Sequence, residues 1–124
     1  MPEIMIVNTV LVPVADQDAA IAWYGTRLGC TLTADMPFGE GSRWVTVTPP
    51  GGGASLALVP PQGEFAPGRS TGISFSSPDP RALYEELRAA GVDADEPVGG
   101  DGTVPVLFFF RDGDGNQLMV AEHR

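Results

Sequence analysis

The sequence contains no lysine, one histidine and one cysteine, and each scarcity removes a class of function. A single thiol, Cys30, excludes an internal disulfide and a thiolate zinc site. The lone histidine, His123, stands next to the last residue, so no Ser/His/Asp or Cys/His catalytic set is expected around it. All seven basic residues are arginines, against sixteen acidic ones, for a net charge of −9 and a pI near 4.2. A surface of that sign repels phosphate backbones and anionic lipid, which argues against nucleic-acid and membrane roles and favours cationic small molecules as partners. Long apolar runs are also missing. The longest, residues 104–110, is far short of the ~20 residues of a spanning helix. Met1-Pro2-Glu3-Ile4 carries no basic region of the kind that opens a secretory signal, so a cytoplasmic location is expected.

What is present is a chain of 124 residues with 43% apolar content, enough for one packed domain. Its order of elements is written twice. Residues 4–14 are almost all aliphatic and β-branched, which predicts a buried strand. Asp16 is an N-cap for a helix running to Leu28, with Ala20, Ile21, Tyr24 and Leu28 on one face and Gly29 as a left-handed stop. Three short strands are predicted next, at 30–36, 42–48 and 55–59, separated by turns rich in proline and glycine. In the second half a strand at 71–76 precedes Asp79-Pro80, a cap followed by a first-turn proline. Leu83, Leu87 and Ala90 form the apolar helix face, Gly91 ends it, and strands follow at 92–97, 104–111 and 117–122. Gly29 and Gly91 lie 62 residues apart, half the chain length. The reading is therefore a duplicated strand–helix–three-strand unit: one domain over 1–124, with a first module over 4–59, a linker over 60–69 and a second module over 70–122.

Ala22-Trp23-Tyr24 followed by Arg27-Leu28-Gly29, together with the hairpin Arg111-Asp112-Gly113-Asp114-Gly115-Asn116, resembles the vicinal oxygen chelate superfamily, which holds glyoxalase I, extradiol dioxygenases and the fosfomycin- and bleomycin-resistance proteins. Ser42-Arg43-Trp44-Val45-Thr46-Val47 is similar to the third strand of many members, and Gly113 stands where the family's hairpin has proline. The resemblance implies an α+β fold of two βαβββ modules, eight strands of a mixed sheet curled around a cleft, one helix outside each module, and frequent homodimers. It also implies where a divalent metal would be held: Thr9, Gly72 (or Thr71), Ala57 and Met119. None of these is a metal ligand, so no metal and no cofactor is expected.

Other constellations are turns rather than sites. The 112–116 loop has its glycine misplaced for a calcium loop, and Gly51-Gly52-Gly53 lacks the lysine and hydroxyl of a phosphate loop. Cys30 reads as a buried, unreactive thiol. Strand alternation counted from the metal positions that the resemblance implies gives the inward side chains: Thr9, Leu11 and Pro13 on the first strand and Gln117, Met119 and Ala121 on the last, with Trp44 and Thr46 on the third. Glyoxalase I-like members line the pocket with an aromatic three residues before the hairpin Asp, so the resemblance also implies that Phe109, and with it Leu107, faces inward on the penultimate strand. Thr9, Leu11, Trp44, Thr46, Leu107, Phe109 and Met119 are the candidate ligand-binding residues, an apolar and aromatic set with few polar groups. No catalytic residue is assigned. The function expected is metal-independent binding of a small aromatic, cationic drug or metabolite, as in bleomycin-resistance proteins. Two alternatives stand beside it: a glyoxalase- or dioxygenase-type enzyme with an atypical metal site, and a ligand-free structural or interaction protein.

Overall fold

The structure is a computed structural model and describes residues 2–123. The elements run β1 (Thr9–Pro13), α1 (Gln17–Leu28), β2 (Thr31–Pro37), β3 (Arg43–Thr48), β4 (Ser55–Val59), β5 (Ser70–Ser77), α2 (Pro80–Ala89), β6 (Asp93–Ala94), β7 (Leu107–Arg111) and β8 (Gln117–Glu122). They form two four-stranded mixed sheets, ordered β1-β4-β3-β2 and β5-β8-β7-β6. In each the first and last strands of the module pair in parallel and the remaining neighbours are antiparallel. Both are βαβββ modules with one topology, and the chain divides into two compact units between Pro67 and Gly68.

The helices start and stop where their caps dictate. The Asp16 carboxylate accepts from the Ala19 N–H at 2.9 Å, and Asp79 does the same for Ala82 at 3.1 Å. Gly29 closes α1 at φ +72°, its N–H bonded back to the Tyr24 carbonyl. Gly91 follows α2 at φ +85° and donates to the Arg88 carbonyl. A side chain at either glycine meets the steric cost of the left-handed region.

Each helix covers one face of its sheet. In the first unit Ala20 and Tyr24 are buried with Val12, Val14, Val45, Val47, Leu56 and Leu58. In the second, Leu87 joins Phe108, Phe110, Leu118 and Val120 in the core, and Tyr84 meets Phe108 edge-on at 5.7 Å. Cys30 is buried and unbridged at the α1–β2 junction, and burial pushes its thiol pKa up to about 11.

Three strands differ from the sequence reading. The first is β1, which begins at Thr9 rather than at residue 4. Ile4, Met5, Ile6 and Val7 are 97, 84, 73 and 74% exposed. Their composition suits a strand, but the parallel partner β4 starts at Ser55, whose N–H donates to the Asn8 carbonyl. Upstream of Ser55 the chain turns through Gly52, whose N–H bonds Pro49, and the ladder has nowhere to continue. The second is β6, which spans only Asp93–Ala94 instead of 92–97. The Asp95 N–H still reaches the Phe109 carbonyl, but Pro97 has no N–H to give, and pairing resumes only as a single bridge at Val98. The third is β7, which starts at Leu107 because residues 100–104 close a turn ahead of Pro105.

The β7–β8 hairpin is held by two buried polar side chains. One Asp112 carboxylate oxygen accepts from the Asp114 and Asn116 N–H groups at 2.9 and 3.0 Å, and the other accepts from the Asn116 amide at 3.1 Å. The side-chain oxygen of Asn116, Oδ1, in turn accepts from the Gly68 and Arg69 N–H groups, at 3.0 and 3.4 Å. The turn is thereby tied to the entry of β5.

Replacing Gly29 or Gly91 by valine is expected to lower unfolding free energy by about 1 kcal/mol or more at each position. Equilibrium denaturation of the two variants checks this, and full tolerance at both would contradict the paired helix stops. Asn116→Ala strips two N–H groups and a buried carboxylate of their partner, so a loss of about 1–3 kcal/mol is expected in the same assay.

Candidate functional site

Because each helix covers one face, every strand also presents a second face that its own helix does not reach. Register fixes which side chains lie there. In the first unit Leu11 pairs with Ala57, which pairs with Thr46, which pairs with Ala34, a single row across all four strands. Thr9 pairs with Ser55 in a neighbouring row, and Trp44 pairs with Met36. These residues share the face opposite Val12, Val45 and Leu58. In the second unit Phe109 pairs with Met119, which pairs with Ser74, and Leu107 pairs with Ala121, which pairs with Ser76. Thr9, Leu11, Trp44 and Thr46 therefore share one face of the first sheet, and Leu107, Phe109 and Met119 share one face of the second. Pro13 is buried.

Several residues on these faces escape a reading by alternation. Phe38, in the β2–β3 turn, reaches back to Trp44 with ring centroids 6.3 Å apart and the planes tilted by 52°. Leu11, Met36 and Phe38 are exposed, and Trp44 is half-buried, so the end of this face is an aromatic and sulfur-bearing patch. Beside it lies a chain of hydroxyls. Thr33 contacts Thr46 at 2.8 Å and Thr48 at 3.1 Å, and Thr48 contacts Ser55 at 2.8 Å. A register shift between Leu32 and Ala34 places Thr33 within this row. No sequence signal marks that bulge; the aromatic at position 38 was legible only as turn composition.

The charged groups are arranged differently in the two units. Arg43 lies on the helix side of its sheet, bonded to Asp18 at 3.0 Å and to Asp35 at 2.8 Å. Arg111 lies on the same face as Phe109 and is gripped by both oxygens of Asp93 and both of Asp95, at 2.7–3.1 Å. Hydrogen bonds from Arg111 hold both carboxyls below the usual carboxylate range. Two carboxylates for one guanidinium leave that end of the face with a net negative charge.

The residues at the family's metal positions do not fit a divalent ion. Thr9, Ala57 and Met119 supply no carboxylate or imidazole. Gly72 has no side chain and sits at φ +73° in the irregular stretch of β5. Its neighbour Thr71 commits its hydroxyl to the Gln117 carbonyl at 2.8 Å and to the Ile73 N–H at 3.1 Å. Among the described residues no group of three or more His, Cys, Asp or Glu side chains is placed to hold a metal ion.

With two βαβββ modules and this hairpin in place, comparison with known proteins is specific. Residues 6–120 match the model of the glyoxalase/bleomycin resistance protein/dioxygenase superfamily, and the chain belongs to that family. It is 29% identical over 118 residues to the uncharacterized protein YetH of Bacillus subtilis (strain 168), covering 94% of this chain and 97% of that one. Among solved structures it is similar to TnmS3, an antibiotic binding protein from Streptomyces sp. CB03234. That match has a TM-score of 0.86 and 32% identity and covers 100% of both chains. A superfamily member from Sphaerobacter thermophilus DSM 20745 superposes with a TM-score of 0.87 at 30% identity, over 97% of this chain and 98% of that one.

The Arg111 cluster has a pH signature. A carboxyl whose folded pKa is depressed contributes stability that is complete above its ordinary value of 3.8 and is lost as pH falls through the lowered folded value. The melting temperature is therefore expected to fall on acidification below about pH 4. In Arg111→Gln that fall is expected to shrink, because Asp93 and Asp95 then lack their hydrogen-bond donor. Thermal melts of both proteins across this range check it; parallel profiles would show that Arg111 contributes nothing to the acid limb.

Proposed function

We propose that the protein is a metal-independent binder of small organic molecules, sequestering an aromatic, cationic drug or metabolite by affinity rather than transforming it. The observation that carries this reading is the pairing of an aromatic and thioether face with the absence of ligating side chains at the family's metal positions. Trp44, Phe38 and Met36 on one sheet, and Phe109, Met119 and Leu107 on the other, offer flat, polarizable contact area that adapts to more than one ligand shape. Thr9, Leu11 and Thr46 adjoin the first of these sets. The antibiotic-binding activity of TnmS3, similar over its whole length, supports a binding role for this chain.

Charge supports the cationic part. The net charge of −9 raises the local concentration of cations, an effect screened within ~10 Å at 0.1 M salt. Trp44 and Phe109 add cation–π attraction of about 0.5–2 kcal/mol. The carboxylate excess around Arg111 lies on the Phe109 face.

A matched series of planar aromatics, one cationic, one neutral and one anionic, titrated at low and high salt, tests the reading. The cation is expected to bind tightest at low salt and to lose affinity as salt rises, with the neutral analogue unaffected by salt. Trp44→Ala is expected to weaken every member at any salt, because it removes contact area. Chelator is expected to change neither binding nor melting temperature. Tighter binding of the anion at low salt would overturn the cationic assignment, and a stoichiometric divalent ion whose removal lowers stability would overturn the metal-independent one.

A further inference from the structure

We propose that Thr33 determines specificity through Thr46, so that the first sheet's face takes planar ligands carrying either an edge N–H or O–H donor or an edge carbonyl. The inference rests on the binding reading above and names the polar chemistry of its ligand. Four hydroxyls form one chain across β2, β3 and β4. Thr46 meets Thr33 at 2.8 Å, Thr33 meets Thr48 at 3.1 Å, and Thr48 meets Ser55 at 2.8 Å. The Thr46 carbonyl is a further acceptor for Thr33, at 3.2 Å. In the shifted register of β2, Leu32 stands opposite Val47 and Ala34 opposite Thr46, and Thr33 is the extra residue between them. From there its hydroxyl reaches both Thr46 and Thr48. Thr46 is 7% exposed and shares its face with Trp44, two residues or about 7 Å along β3. Its row neighbours Ala34 and Ala57 carry only methyl groups, so neither reaches over its hydroxyl. A ring in contact with Trp44 therefore brings an edge substituent to Thr46.

A hydroxyl has one proton to give and two lone pairs to fill. Facing a ligand N–H or O–H, Thr46 accepts and turns its own proton to Thr33, Thr33 donates to Thr48, and Thr48 to Ser55. Facing a carbonyl, Thr46 donates outward and the chain reverses. Ser55 then donates to Thr48, Thr48 to Thr33 and Thr33 to Thr46. Rotation of hydroxyls alone separates the two states, and no proton changes owner. Hydroxyls bonded in series polarise one another, which strengthens the group at the end in either direction. The device depends on Thr33. Among the described residues it is the only side chain bonded to the Thr46 hydroxyl. Without it, a Thr46 that accepts from a ligand leaves its proton unplaced in a buried position, whereas a Thr46 that donates leaves only a lone pair unfilled. Loss of Thr33 therefore penalises donor ligands over acceptor ligands.

Calorimetric titration of the full chain with indole, 1-indanone and indane tests this. The three are bicyclic molecules of similar size that offer a donor only, an acceptor only and neither. The wild type is expected to bind indole and 1-indanone each about threefold or more tighter than indane. Thr33→Val is expected to weaken indole about fivefold or more relative to both other probes, and Thr33→Ser, which keeps the hydroxyl, to restore the wild-type ratio. Thr46→Val is expected to bring indole and 1-indanone both to the level of indane. Thr33 lies exposed on an edge strand, so its variants are expected to melt with the wild type. A Thr33→Val protein that weakens all three probes equally would overturn the proposal, since Thr33 would then only support the strand. So would a wild type that binds indane as tightly as the other two, which leaves the apolar contact face standing without the hydroxyl chain. A wild type that binds none of the three would overturn the hydroxyl chain and the binding reading together.

Discussion

One helix is available to each four-stranded sheet, and a helix covers only one face. The rest of the structure follows from that constraint. Strand side chains alternate, so each module must place its packing residues on one parity and leave the other to a different use. Val12, Val45, Val47 and Leu58 in the first unit, and Phe108, Phe110, Leu118 and Val120 in the second, obey it as buried side chains. The opposite parity is where Leu11, Trp44, Phe109 and Met119 lie. No helix of their own module rests on that parity, and its apolar side chains are what make these faces candidates for ligand contact.

The two modules reach one topology by unequal means. The second ties its β7–β8 turn to the entry of β5 through Asp112 and Asn116, both buried and both hydrogen-bonded to backbone. The equivalent β3–β4 turn of the first module, rich in proline and glycine, has no such pair. There Gln17, at the start of α1, donates to the carbonyls of Arg43 and Leu58 at 2.9 Å each and so bridges helix, β3 and β4. Arg43 adds ion pairs to Asp18 on the helix and Asp35 on β2. Duplicated architecture therefore does not require duplicated fastenings. Each half needs only that its crossover and its last hairpin be satisfied in hydrogen bonds.

Much of this was legible in the residues, for identifiable reasons. Caps and stops are local chemistry, so Asp16, Gly29, Asp79 and Pro80 marked the helices, with Gly91 just beyond the second. Alternation separated Phe108 and Phe110 from Leu107 and Phe109 because those strands pair with regular register. Errors arose where a strand's length depends on a distant neighbour. Residues 4–8 look like strand but outrun β4, and 95–97 look like strand but meet Pro97. Phe38 and Thr33 were missed on the candidate face for a related reason: a turn and a bulge, not periodicity, bring them to Trp44 and Thr46.

Separation of the two faces also bears on how one fold serves both metal chemistry and simple binding. Side chains at Thr9 and Met119 lie on the parity that the helices do not cover, so their identity is only weakly coupled to the packing that stabilises each module. A carboxylate or imidazole there can be exchanged for a hydroxyl or thioether without opening a cavity beneath a helix. Ala57 is the exception, since it is fully buried between Leu11 and Thr46 in its cross-strand row. A longer ligating side chain at that point would have to displace the row, so packing as well as chemistry holds this position to a small residue. The donor-free positions and the closed row thus constrain the same face from two sides, one by chemistry and one by packing.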